Sequence, residues 1–451
     1  MLTCWDRASA STAFCDGVSR RSFLRLGALG LSGLTLADLL KLRAQGAGEQ
    51  RSVIMIGLPG GPSQFETYDL KPDAPADVRG ELRPIATNIP GFRMSELFPM
   101  QAQIADKLAV VRGVDFYFDD AHSQQLIYTG FGRPFNVGAP IPGRMPRPAF
   151  GSVYSKLRGS VAAGGMPSFV SLVRATAEGG GDGENPAYCG PAHRAFSYGG
   201  EVLKNMALPR GMTADRVEDR KDLLQSFDSL RRDLDRSGDL AAADACTARA
   251  LDIVTRPQVR TAFDLTKESA AAQAKYGRID NPGEAGSIDP KKLLLARRLV
   301  EAGVPVVTLQ LGSWDTHSKN FDYMRRWLPV LDRAIHALTT DLHERGLDKR
   351  TAVVMWGEMG RTPRINAGGG RDHWADSGFA FFSGGAGLQM GQAVGETDAR
   401  GERARGKRYS VQNVLATVYR TLGIDPATTL PDHTGRPQYL LNECESVAEL
   451  V

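Results

Sequence analysis

The chain predicts an α/β fold, a mostly parallel sheet with helices on both faces, and three observations carry that expectation. Residues 304–311, Val-Pro-Val-Val-Thr-Leu-Gln-Leu, read as a buried strand, and Thr351-Ala-Val-Val-Met-Trp356 reads as a second. Between them Phe321, Met324, Leu328, Leu331, Ile335, Leu338 and Leu342 recur at three- and four-residue steps, which gives a helix one apolar face; Gly346 closes it. Upstream, residues 291–302 repeat the helical pattern through Leu293, Leu294, Leu295, Leu299 and Val300. Helix, strand, helix, strand in this order is the signature of a parallel sheet covered on both sides.

The other elements follow the same logic. Residues 51–58 read as the first strand, broken at Pro59-Gly60-Gly61-Pro62-Ser63, where glycine permits a sharp turn and a close backbone approach. Residues 108–112 and 166–172 read as further strands, 378–383 as a late strand, and 411–422 as a helix. Residues 174–200 are glycine-rich loop. Residues 201–275 are charged and helical, with Leu223, Leu224, Phe227, Leu230 and Leu234 on one face, and read as a helical insertion beside the sheet. Residues 430–437 form a turn. Residues 48–451 are expected to make one domain.

The chain has 451 residues and a formal charge of +4, with acidic and basic residues mixed along it, so nucleic acid is not an expected partner. Ser19-Arg20-Arg21-Ser22-Phe23-Leu24-Arg25 precedes an apolar stretch, Leu26 to Leu40. Twin arginines before a moderately apolar core are a twin-arginine export address, read by the Tat translocase. Residues 1–47 are therefore expected to leave as a signal peptide. The mature protein would then work in the periplasm or outside the cell, without a membrane span. Cys189, Cys246 and Cys444 would remain; they lack metal or redox spacing and imply no disulfide framework.

The chemistry concentrates after the strands. Gly-Ser-Trp-Asp-Thr-His317 follows the 304–311 strand, Gly357-Glu358 follows the 351–356 strand, and Asp372-His373 lies one glycine-rich loop further on. A right-handed crossover is expected to set the two strand ends side by side, at the rim where open α/β sheets bind ligands. Asp315, His317, Glu358, Asp372 and His373 are thus candidate ligands of a divalent metal, zinc first, with calcium, magnesium or manganese also open. The bland alternatives are a helix cap for Asp315 and His317 and a surface pair between Glu358 and Arg361. Arg361 is a candidate anion holder. His122 is a candidate ligand or acid–base group, and Ser63 and Ser123 are candidate nucleophiles. His336, His343 and His433 read as structural, and His193 as a loop histidine that could line the cleft. Gly385-Ala-Gly387-Leu-Gln-Met-Gly391 lacks the spacing and the following helix of a dinucleotide loop.

Several motifs together resemble an exported bacterial family of unknown function, DUF1501. They are Gly60-Gly61-Pro62-Ser63 through Pro72, Asp106 to Arg112, Ala121-His122 to Gly130, Leu294 to Gly303 and Trp314-Asp-Thr-His317. They continue through Gly357-Glu-Met-Gly-Arg-Thr-Pro363, Gly370-Arg-Asp-His-Trp374 and Asp432-His-Thr-Gly-Arg-Pro437. The family is similar to the alkaline phosphatase and sulfatase superfamily. That resemblance implies an alkaline-phosphatase-like fold and metal-dependent hydrolysis of phosphate or sulfate esters of small anionic substrates. Asp315, His317 and His373 resemble the ligands of one metal. The chain departs from the superfamily pattern at Met359, where a histidine is usual. It departs again at Gly60-Gly61, where an acid usually ends the first strand; Glu66 and Asp69 are the nearest replacements. These departures leave a second reading, a binding or scaffold protein that kept the fold and lost the chemistry.

Overall fold

In a computed structural model, eight strands form the central sheet. They are β1 (Ser52–Gly57), β2 (Leu108–Val114), β3 (Phe169–Ser171), β4 (Phe196–Ser197), β5 (Val306–Gln310), β6 (Thr351–Trp356), β7 (Gly378–Gly384) and β8 (Gln392–Val394). Their order across the sheet is β8-β2-β7-β6-β1-β5-β3-β4. β7 runs antiparallel to β6 and β2, and the remaining pairings are parallel. The structure describes residues 50–117, 122–132, 135–136, 139–140, 145–173, 182–198, 256–278, 286–385 and 387–451. Arg51–Val451 make up one compact unit.

The alternation of side chains along each strand divides the core in two. Ile54, Ile56, Val307, Leu309, Val353 and Met355 face the helices α2 (Lys291–Glu301) and α3 (Asn320–Glu344). Val53, Met55, Val306, Ala352 and Val354 face α1 (Phe150–Arg158) and α4 (Val411–Thr421). All six residues of β1 and of β6 are buried, so these strands carry apolar residues on both faces. α4 opens on a capping box, in which the Ser410 hydroxyl accepts from the Asn413 amide and the Asn413 side chain returns to the Ser410 N–H. This is the expected α/β architecture, a mostly parallel sheet with helices on both faces.

Three differences from expectation bear on the site. First, β5 and β6 are not neighbours, because β1 inserts between them and pairs with both. The crossover α3 passes over one strand, so β1 contributes the centre of the rim. Second, α3 begins at Asn320 with Lys319 preceding it, so Asp315 and His317 do not cap it. Third, β4 is an edge strand inside the stretch read as loop. The helical insertion and the twin-arginine segment lie largely or wholly outside the described residues, as do Asp119 and Asp120. Among the described residues no helix is long and apolar enough to cross a membrane.

Candidate metal centre

The rim is built from the ends of β1, β5 and β6, and glycine lets them close up. Gly60 sits at φ 94°, and a Cβ there would lie 2.6 Å from the Asp315 nitrogen. The Trp314 N–H donates to the Pro59 carbonyl at 2.6 Å, and the indole N–H of buried Trp314 donates to the Leu311 carbonyl at 2.9 Å. These bonds hold Asp315 over the end of β1. His373 arrives on a short antiparallel pair, Gly360–Arg361 with His373–Trp374. The Gln64 amide pins that pair, donating to the Arg361 carbonyl and accepting from the Arg361 N–H, each at 3.0 Å.

Four side chains converge here. His122 Nε2 lies 3.4 Å from Asp315 Oδ2. His317 Nε2 lies 3.0 Å from Asp315 Oδ1 and 3.0 Å from His373 Nε2. His373 Nε2 lies 3.1 Å from Asp315 Oδ1. Ligand atoms of His122, Asp315 and His373 all fall within 4.8 Å of one another. Zinc–ligand bonds of about 2.0–2.1 Å in a tetrahedron put ligand atoms roughly 3.3 Å apart, and the contact each of the three imidazoles makes to Asp315 falls near that spacing. His122 adopts φ 65°, rare for a residue with a side chain and a mark of a position fixed by its surroundings.

The electrostatics suit a cation. Burial works to raise the Asp315 pKa, but hydrogen bonds from Arg361 and His373 outweigh it and hold the carboxyl down at about 2. Burial lowers the His373 pKa, with the Arg361 and His122 charges adding to that and Asp315 opposing it. The site thus presents a firm carboxylate and a neutral imidazole, the protonation states that metal ligation requires. The donor set of His122, Asp315 and His373, one carboxylate and two imidazoles, suits a zinc-like divalent ion, and the His317 ring lies beside it.

Other expected site residues take different roles. Asp372 does not face the centre; its Oδ1 lies 2.7 Å from His317 Nδ1, behind the ring. Glu358 is fully buried, its Oε1 accepting the Gly60 N–H at 2.7 Å and lying 4.0 Å from His122 Nδ1. Burial raises the Glu358 pKa, while hydrogen bonds from its own backbone, Gly60 and Gln124 oppose the shift.

Arg361, the candidate anion holder, has its guanidinium engaged within the protein. Its guanidinium is fully buried and donates to the carbonyls of Gly61 (2.8 Å), Arg371 (2.9 Å), Trp314 (3.1 Å) and Gly60, and to Asp315 Oδ1 (2.7 Å). Those contacts bind the ends of β1, β5 and β6 together. Glu66 and Asp69 do not replace the missing acid. Glu66 is paired with buried Arg371 at 2.8 Å, and Asp69 engages Lys71 at 3.0 Å and the Thr397 hydroxyl at 2.5 Å. Ser63 and Ser123 are buried, their hydroxyls sealed from solvent, so neither stands at the exposed side of the rim as a ready nucleophile. His193 Nδ1 lies 3.0 Å from the Ser155 hydroxyl of α1, outside the cluster, and His343 Nδ1 lies 3.3 Å from Asp348 Oδ2.

Sequence reasoning missed Glu184, whose buried carboxylate accepts from the Thr308 hydroxyl of β5. Its only signal was its place as one of three acids, with Glu178 and Asp182, in a glycine-rich loop.

Fold and site define a class: an α/β protein with a carboxylate–imidazole cluster at the C-terminal ends of its parallel strands. The profile of the family described as "Protein of unknown function (DUF1501)" matches residues 50–451, and the chain belongs to that family. Solved structures with similar chain paths include the PsFucS1 sulfatase from Pseudoalteromonas sp., 12% identical, with a TM-score of 0.37 over 86% of this chain and 70% of that one. Another belongs to a Bacteroides thetaiotaomicron locus for glycosaminoglycan metabolism, 12% identical, with a TM-score of 0.37 over 83% of this chain and 73% of that one. A local match, 28% identical over 123 residues, links 24% of this chain to 6% of the length of the Druantia protein DruE of Escherichia coli (strain UMEA 4076-1).

Proposed function

We propose that the protein is an exported, metal-dependent hydrolase of phosphate or sulfate esters. The observation that carries this reading is the convergence of His122, Asp315 and His373, whose ligand atoms all lie within 4.8 Å of one another, with His317 Nε2 3.0 Å from both Asp315 Oδ1 and His373 Nε2. His122, Asp315 and His373 would hold the ion, with His317 beside them. When bound, it would polarise an ester oxygen and lower the pKa of a water or hydroxyl. Asp315 supplies the negative charge that retains a cation, and Arg361 keeps that carboxylate ionised and aimed. The rings of His122 and His317 are about half exposed, which leaves the outward side of the cluster open to an anionic ester. The twin-arginine segment supports export through the Tat translocase to the periplasm or beyond.

Metal analysis of the purified protein, followed by turnover of an aryl phosphate and aryl sulfate panel, tests this. Asp315→Ala and His373→Ala are each expected to lose both bound metal and turnover. A metal-replete protein inert across the panel would favour the scaffold reading, which the two buried serine hydroxyls support.

A further inference from the structure

Resting on the metal reading above, we propose that Asp372 is a positioning residue that fixes the His317 ring so that Nε2, not Nδ1, faces the centre. The Asp372 carboxylate lies 2.7 Å from His317 Nδ1, on the far side of the ring from Asp315 and His373. A carboxylate accepts only, so Nδ1 must carry the hydrogen. Nε2 is then the nitrogen left facing Asp315 Oδ1 and His373 Nε2, 3.0 Å from each. A carboxylate behind an imidazole is also the usual means of setting a ligating histidine's tautomer and basicity.

Asp372 is itself held for the task. Its backbone N–H donates to the Thr362 hydroxyl at 3.0 Å, and its carbonyl accepts the Thr362 N–H at 2.9 Å. Asn366 spans the pair, its amide donating to the His317 carbonyl at 2.9 Å and to Asp372 Oδ1 at 3.2 Å. Ring, carboxylate and amide form a closed clamp, and the loop between Arg361 and Arg371 exists to close it. Glu358 stands behind His122 in the same sense, 4.0 Å from Nδ1 while Nε2 faces Asp315. Of the three carboxylates that the motifs offer as ligands, Asp315 faces the centre, while Asp372 and Glu358 lie on the Nδ1 sides of His317 and His122.

Two measurements separate this role from that of a ligand. In metal-free mature protein, nitrogen-15 NMR of the histidines should show His317 protonated at Nδ1, and Asp372→Ala should redistribute that proton between the two nitrogens. A wild-type ring protonated at Nε2 overturns the proposal. In titrations with cobalt(II), Asp372→Ala should weaken binding by roughly 10–100-fold. Stoichiometry and the visible absorption spectrum should stay unchanged, and Asp372→Asn, whose amide oxygen still accepts from Nδ1, should recover part of the affinity. A changed spectrum would make Asp372 a ligand and overturn the proposal. Wild-type protein that binds no cobalt or zinc would sink the hydrolase reading instead, and the NMR result alone would then decide the role of Asp372.

Discussion

Replacing Glu184 with Gln should flatten the pH dependence of stability between pH 4.5 and 7. Glu184 is buried under β5, and its carboxylate meets the Thr308 hydroxyl and the side chain of Ser171. Burial pushes its pKa from the ordinary 4.5 up to about 7, against the opposing hydrogen bonds. The folded protein thus holds this proton more tightly than the unfolded chain does. The stabilisation is full below the unfolded pKa, shrinks as pH rises, and is gone above the folded one. A rise of about 2.5 units corresponds to about 3 kcal/mol between the two plateaus. Asp332, raised to about 6 by burial, slopes the same way, so the test is the difference between variant and wild type. Glutamine keeps the shape and an oxygen that accepts from the Thr308 hydroxyl but cannot ionise. Urea melts at half-unit steps from pH 4 to 8 should show Glu184→Gln gaining on the wild type by up to that amount above pH 7. Parallel curves for the two proteins would refute the buried, proton-bearing carboxyl.

Other consequences follow from the same geometry. Gly60→Ala would drive a methyl group to within 2.6 Å of the Asp315 nitrogen and should lower metal affinity and melting temperature together. Glu66→Gln would strand the buried Arg371 guanidinium without its carboxylate and should cost about 3–5 kcal/mol in chemical denaturation. Arg20→Lys with Arg21→Lys should hold the protein in the cytoplasm on cell fractionation; normal export of that variant would reject the twin-arginine address.

The sheet was legible because its strands are short apolar runs and its helices carry one apolar face. The strand order was not, since nothing in residues 52–57 announces that β1 will slip between β5 and β6. Motif spacing placed Asp315, His317 and His373 at one rim, but side-chain direction is set by tertiary contacts, and so Asp372 and Glu358 were read as ligands. Arg361 is the sharpest case. A conspicuous arginine beside candidate ligands suggests an anion, yet here the carbonyls of Gly60 and Gly61 after β1, Trp314 after β5 and Arg371 need a donor, and the guanidinium supplies it. The distinction has a measurable consequence. Arg361→Lys keeps the positive charge and would still attract an anion from solution, but an ammonium lacks the planar fork that reaches several carbonyls at once. If Arg361 is the tie between strand ends, the variant should melt well below the wild type and bind cobalt(II) more weakly, because Asp315 loses the 2.7 Å donor that aims it. If the residue instead met substrate, stability and cobalt affinity would be unchanged, and only the KM for an anionic ester would rise.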